Sequence, residues 1–165
     1  MPNLILILLL LAMPLGSTVW SPPKWSTFRG AYFEVNYPPG FKARKSLPSN
    51  SFEGKHDSAF FASADGAVEF YVFSPLWNGK PDDIELVPAS EEIVSENVET
   101  KGSLKTRRVT IKAKDNSYMR SFEDTENTET NNRKVFGIKY RDRGVYNKYR
   151  PQYITFKNSL RQFSD

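Results

Sequence analysis

The sequence predicts an α+β domain: an antiparallel sheet of about six to seven strands packed against a C-terminal helix. Three observations lead there. Short runs of alternating apolar and polar residues recur through the chain, separated by turn-forming Gly, Asn, Asp and Pro. Charges fall in blocks of alternating sign along those runs. The last stretch, "YRPQYITFKNSLRQF" (Tyr149 to Phe163), shifts its apolar spacing to the three-and-four step of a helix.

The chain of 165 residues is one domain's worth. Its start, "MPNLILILLLLAMPLGSTVWS", reads as a secretory signal rather than part of that domain. Leu4 to Ala12 are apolar, and as a helix they rise only about 14 Å, against roughly 30 Å of membrane hydrocarbon. Residues 1–21 are therefore assigned to the signal, with removal between Gly16 and Ser21, and residues 22–165 to a single α+β domain, secreted or periplasmic. No stable membrane span is expected after removal; the alternative is an uncleaved tether. The absence of cysteine excludes disulfide scaffolds and a lipid-modified cysteine at the cleavage point. No Asn begins an N-x-Ser/Thr sequon, which favours a bacterial periplasm or culture medium over a eukaryotic secretory route.

In "GAYFEVNYPPGF", Phe33, Val35 and Tyr37 alternate with Glu34 and Asn36, a half-buried strand closed by Pro38-Pro39-Gly40. Lys42 to Asp57 is basic, polar and Pro/Ser-rich, and is read as a loop with one short helical turn. In "SAFFASADGAVEFYVFSP", two aromatic and β-branched runs flank Asp65-Gly66, a hairpin. Phe70 and Val72 share one face of the second strand, Tyr71 and Phe73 the other, which predicts a central strand covered on both sides. "LWNGKPDDIELVP" is a loop. "EEIVSENVET" is ambiguous between helix and strand, and Lys101-Gly102 after it favours a strand in a hairpin with "SLKTRRVTIKAKD", whose Val109, Ile111 and Ala113 share a side. Strands "YMRSFEDTE" and "RKVFGIKY" follow, joined by polar turns.

From Lys80 to Thr100 there are seven acids and one base; Lys101 to Lys114 has six bases and no acid. Asp115 to Thr130 has five acids and one base, and Arg133 to Arg161 nine bases and one acid. Such blocks predict neighbouring strands that pair opposite charges, not one basic face for nucleic acid.

For the closing helix, Pro151 fits the first helical position. Tyr153, Phe156, Leu160 and Phe163 then fall within an arc of about 80°. This is a stripe for the core, with Arg150, Lys157 and Arg161 on its flank. Ile154 does not fit the stripe.

"YFEVNYPPGF", "FFASADGAVEFYVF" and the closing "YITFKNSL", in this order and over roughly residues 30 to 163, resemble the PsbP-like superfamily. Phe41 stands where these domains often carry Trp after the proline, and no helix separates the middle strands. The resemblance implies a PsbP-like sandwich and an accessory role beside larger assemblies, without a catalytic site.

The chemistry of the residues points the same way. His56, in "EGKHDS", is the sole histidine and is expected in a solvated loop; no G-x-S-x-G accompanies it. No catalytic residue, metal ligand or cofactor is assigned. Glu123, Asp124, Glu126 and Glu129, or Asp82, Asp83 and Glu85, keep open a small extracellular glycan hydrolase with paired carboxylates, or a weak cation-binding accessory domain. The leading expectation is an exported, non-catalytic accessory or binding protein for a macromolecular partner or envelope component, and not for nucleic acid. Its candidate binding residues lie in "KYRDRGVYNKYR": Arg141, Arg143, Tyr146, Lys148 and Arg150. The plainer reading has the tyrosines capping the core and the bases facing the acidic 123–129 segment. Trp77 is expected in the core.

Overall fold

The computed structural model describes residues 24–163, so residues 1–21, expected from sequence to be a signal, and Trp20 among them, lie outside the described residues. Ten strands and one α-helix follow in the order β1 (Ser26–Arg29), β2 (Phe33–Tyr37), β3 (Lys42–Lys45), β4 (Ser58–Ala62), β5 (Val68–Phe73), β6 (Glu91–Lys101), β7 (Leu104–Ala113), β8 (Met119–Asn127), β9 (Asn132–Tyr140), α1 (Arg143–Asn158) and β10 (Arg161–Gln162), with one 3-10 turn at Asp82–Ile84 between β5 and β6. Seven strands make an antiparallel sheet in the order β3-β4-β5-β9-β8-β7-β6. A three-stranded sheet, β1-β2-β10, lies apart from it. This is an α+β fold with a seven-stranded antiparallel sheet and a C-terminal helix, as the alternation predicted.

The membership of that sheet differs from the expectation. The strand "FEVNY" pairs with β1 and β10 and leaves the large sheet. Its place is taken by β3, inside what reads as a loop, pairing Lys42–Lys45 with Ala59–Ala62. All four β3 residues are exposed, so no apolar alternation marks them. A short, basic strand is a common way to finish a sheet edge. Strand β1 is hidden for a related reason, since Phe28 is its one buried residue.

The large sheet has a core on each face. One holds Phe61, Phe70, Val72, Phe136 and Ile138 against Phe28, Phe33 and Val35 of the small sheet and Phe156 of α1. The other holds Tyr71, Phe73, Val109, Ile111, Phe122 and Val135 beneath Leu47, Phe60, Ile84 and Leu86. Gly137 serves this second core. It stands opposite both Tyr71 and Phe122 in the ladder, and a Cβ there would come within 2.5 Å of the Phe122 ring. The bare backbone makes room for the Tyr71–Phe122 edge contact, centroids 6.0 Å apart.

One buried ion pair pins the loop between β5 and β6 onto the sheet. Arg120 meets Glu91 at 2.6 Å and donates to the Ile84 and Glu85 carbonyls, each at 2.9 Å. Glu91 also accepts from the Val87 N–H and the Tyr118 hydroxyl. Burial works to raise the Glu91 carboxyl, but Arg120 and the other donors outweigh it and hold it at about 2.

The helix is displaced from its expected bounds. It begins at Arg143, with Asp142 as N-cap accepting from the Val145 N–H at 2.9 Å. Pro151 is therefore interior, and it is exposed. Its ring forfeits only the bond to the Asn147 carbonyl, on the same outward side. Ser159 caps the end, so Leu160, Arg161 and Phe163 lie beyond the helix. The apolar stripe holds for Tyr153 and Phe156, while Leu160 packs on the core after the chain has turned and the Phe163 N–H bonds Tyr32 O at 3.0 Å. Ile154 is 41% exposed, on the helix's outer side. No helix among the described residues is long and apolar enough to cross a membrane.

Candidate functional site

Covering elements reach only part of the sheet. Helix α1 lies over β9 and β5, leaving the same face of β6–β8 open beside it. The space between is a groove of 430 Å³. Its floor carries Asn97, Thr110 and Ser121; its helical wall carries Tyr146, Tyr153 and Lys157. Thr110 and Ser121 share a hydrogen bond at 3.0 Å across β7 and β8. Glu123 accepts from Lys157 at 2.6 Å and from Arg108 at 3.0 Å. Burial pushes its carboxyl up, yet the two cations together hold it below the usual range. Burial, with Glu123 and Tyr146 nearby, raises the Tyr153 phenol far above its ordinary value.

Of the five residues singled out from sequence, Arg141 precedes α1 and the other four lie in its first half, but they do not share one face. At about 100° per residue, Arg143 and Arg150 lie within roughly 20° of each other, and Lys157 continues their line. This stripe borders the groove: the Arg143 guanidinium stands 5.3 Å from the Tyr146 ring. Lys148 lies about 140° round the helix from Arg143, 4.9 Å from the Tyr149 ring. Arg141 precedes the helix and meets Asp142 at 3.2 Å. Arg143, Lys148 and Arg150 make no ion pair among the described residues. The tyrosines do cap the core, Tyr140 fully buried and Tyr146 and Tyr149 packed against it. The bases of this segment do not face 123–129 as expected. The acids there are met instead by Arg108 and Arg133, which the strand ladder brings beside β8, and by Lys157 from the second half of α1.

Opposite-sign blocks do pair across neighbouring strands. Arg107 meets Glu96 at 2.7 Å, Arg108 meets Glu99 at 3.5 Å and Glu123 at 3.0 Å, and Arg133 takes Asp124 in two bonds. This pairing occupies the carboxylates that a hydrolase would need. Glu123 and Asp124 are also neighbours on a strand and point to opposite faces. Glu126 accepts from Asn78, and Asp83 accepts from both Ser58 and Tyr71 at 2.6 Å. Asp82 and Glu85 share Lys80.

His56 is half-buried rather than solvated, because its backbone bridges Pro48 and its carbonyl accepts from the Ala31 N–H. Asp57 beside it is buried; desolvation raises its carboxyl, partly offset by Ser49 and His56. Trp77 is 42% exposed and packs its ring on Tyr32 at 4.9 Å, outside the core where sequence reading put it. Sequence reading also missed the hydroxylated groove floor, whose residues come from three strands and share no local pattern.

A second concavity, of 240 Å³, opens on the other face of the sheet. Val109, Ile111, Phe122 and Val135 floor it, and Ile84, Leu86 and Ile93 line its sides.

No protein-family model matches the chain, and no curated protein matches it. Solved structures do. The solution structure of cyanobacterial PsbP (CyanoP) from Synechocystis is similar with a TM-score of 0.50 at 10% identity, over 92% of this chain and all of that one. A mutant of the protein Mog1 gives 0.44 at 11% identity, over 86% of this chain and 96% of that one. The Ran-binding protein Mog1p of Saccharomyces cerevisiae gives 0.43 at 10%, over 84% and 94%. At the first of these likenesses it is the fold that is shared: the chain has a PsbP-like fold.

Proposed function

We propose that the chain is an exported, non-catalytic accessory protein that engages a macromolecular partner or envelope component through Arg141, Arg143, Tyr146, Lys148 and Arg150. One observation supports this reading above others. Among the described residues, Arg143 and Arg150 are exposed cations without an acid partner, and Lys148 forms no ion pair although its charge helps lower the Asp65 carboxyl, whereas the bases of β7 and β9 nearest the acids are paired across strands. Unneutralised guanidinium groups beside a tyrosine-walled groove suit carboxylate or phosphate groups on a large partner. A PsbP-like fold supports an accessory role by analogy alone.

The test is affinity capture from the native envelope with the chain and with a variant carrying Ser at Arg141, Arg143, Lys148 and Arg150. Capture should fall sharply while thermal unfolding stays nearly unchanged, since all four are exposed. Undiminished capture removes this surface from consideration.

A further inference from the structure

We propose that the groove between α1 and the open face of β6–β8 is a binding site for an uncharged sugar ring. It goes beyond the basic surface proposed above, with which it shares Tyr146 but none of the cations.

Strand register assembles the floor. Ser95, Thr110 and Ser121 stand in one rung across β6, β7 and β8, and Asn97, Arg108 and Glu123 stand in the next rung on the same face. The two rungs run on into Ile138 and Phe136 of β9, buried beneath α1. The face thus changes from apolar to hydroxyl-bearing at the margin of the helix, where Tyr146 and Tyr153 form the wall. The space of 430 Å³ falls within the range usual for small-molecule sites, roughly 300–1,000 Å³.

What is left unpaired there is polar but uncharged. Each charged side chain of the groove already has a partner: Glu123 is held between Lys157 and Arg108, and Arg108 also meets Glu99. By contrast, the Ser95 hydroxyl, the Asn97 amide and the Tyr146 and Tyr153 hydroxyls make no side-chain hydrogen bond among the described residues, and Thr110 and Ser121 bond only each other, at 3.0 Å. Hydroxyl and amide groups both donate and accept, so the floor offers either role to a ligand. An ionic ligand finds its counter-charges taken, and an apolar one leaves the floor unsatisfied. An extended peptide finds no backbone partner, since the N–H and C=O groups of β7 and β8 are spent in their ladders. A sugar ring answers both surfaces: its hydroxyl rim bonds the Ser, Thr and Asn side chains, and its C–H face lies on a tyrosine ring.

The wall is preformed. The Tyr146 ring packs on Tyr140 with centroids 4.9 Å apart, and the Tyr153 ring on Phe70 at 5.2 Å. The Lys157–Glu123 contact ties the helix to β8 within the groove. Rings held in place from behind lose little freedom when a ligand settles on them.

The experiment titrates the whole protein, isotope-labelled for NMR, with maltotriose, cellotriose and the trimer of N-acetylglucosamine, neutral sugars that differ in linkage and substituent. Sorbitol supplies the hydroxyls without the ring, and cyclohexanol the ring without its set of hydroxyls. At least one of the trimers should shift the amides of Asn97, Thr110, Ser121 and Tyr153 to saturation, and the two controls should not. Thr110→Val with Ser121→Ala, which removes the floor hydroxyls and leaves the wall, should weaken binding by about tenfold or more. Should that pair disturb β7 and β8, Asn97→Ala, at an exposed position, must weaken binding likewise. The fourfold Ser variant of the basic surface should bind the sugar as before, so the two proposals fail separately. The inference is overturned by no saturable shift from any trimer, by shifts centred away from the groove, by an equal response to sorbitol or cyclohexanol, by unchanged affinity without the floor hydroxyls, or by loss of binding in the fourfold Ser variant.

Discussion

Strands β5 and β6 belong to one sheet and are built on opposite terms. In β5, five of six residues are buried, because α1 and the small sheet cover one face and the β5–β6 loop the other. In β6, Glu91 is the one buried residue of eleven. What the covering elements do not reach is held by charge: Arg107 on Glu96, and Arg108 between Glu99 and Glu123. Exposed cross-strand pairs are each worth only about 0.2–1 kcal/mol, whereas a buried aromatic contributes several times that. Stability is thus concentrated where β4, β5 and β9 meet the helix. The β6–β7 hairpin is lightly held, and β6 closes the sheet with no strand on its outer side among the described residues.

Replacing Phe156 by Ala tests the covered half most severely. Its ring is fully buried among Phe61, Phe70 and Phe136, and the cavity should cost about 3–5 kcal/mol, read by urea unfolding. A loss no larger than that of a hairpin variant would dissolve the contrast.

The Glu91–Arg120 pair, at the border of the two halves, should show itself in acid. Glu91 is held at about 2 in the folded chain against 4.5 for the free group, so between those values the unfolded chain binds the extra proton. Its contribution, about 3 kcal/mol, is complete above pH 4.5 and is lost as pH falls toward 2. Glu91→Gln should flatten that part of the stability-against-pH curve; an unchanged slope would mean the pair does not anchor the loop.

Gly137→Ala sharpens the picture inside β9. The added Cβ must displace the Phe122 ring, and a loss of about 1–3 kcal/mol is expected in a thermal melt. The smallest effect belongs to the hairpin: Val98→Ser, at an exposed position, should stay within about 0.5 kcal/mol of the parent by the same melt. A larger loss there would show that the hairpin packs on more than its own charges.

Strands that bury a face on each side of the sheet were legible from their residues. The Phe70/Val72 and Tyr71/Phe73 alternation located β5, and Val109, Ile111 and Ala113 located β7. The sign of the charge blocks foretold which strands lie side by side. Strands β1, β3 and β10 were not legible, since a run such as Lys42–Lys45 buries nothing and leaves no period to read. The helix start was misplaced because Pro151 suits a first turn, while the Asp142 cap that sets the true start is a single polar residue two positions after β9 ends. Of the groove, Tyr146 and its basic neighbours were visible in the chain; Asn97, Thr110 and Ser121 were not, being brought together only by register.

By itself the sequence determined the class of fold, the paired charges and the aromatic inner side of the helix, because burial imposes a short-range period that every sequence segment carries with it. Tertiary structure alone decided which sheet each strand joins, how far the helix spreads over the large sheet, and hence which polar residues share a groove and which edge stays open. Those outcomes depend on contacts between segments far apart in the chain, and no local pattern records them.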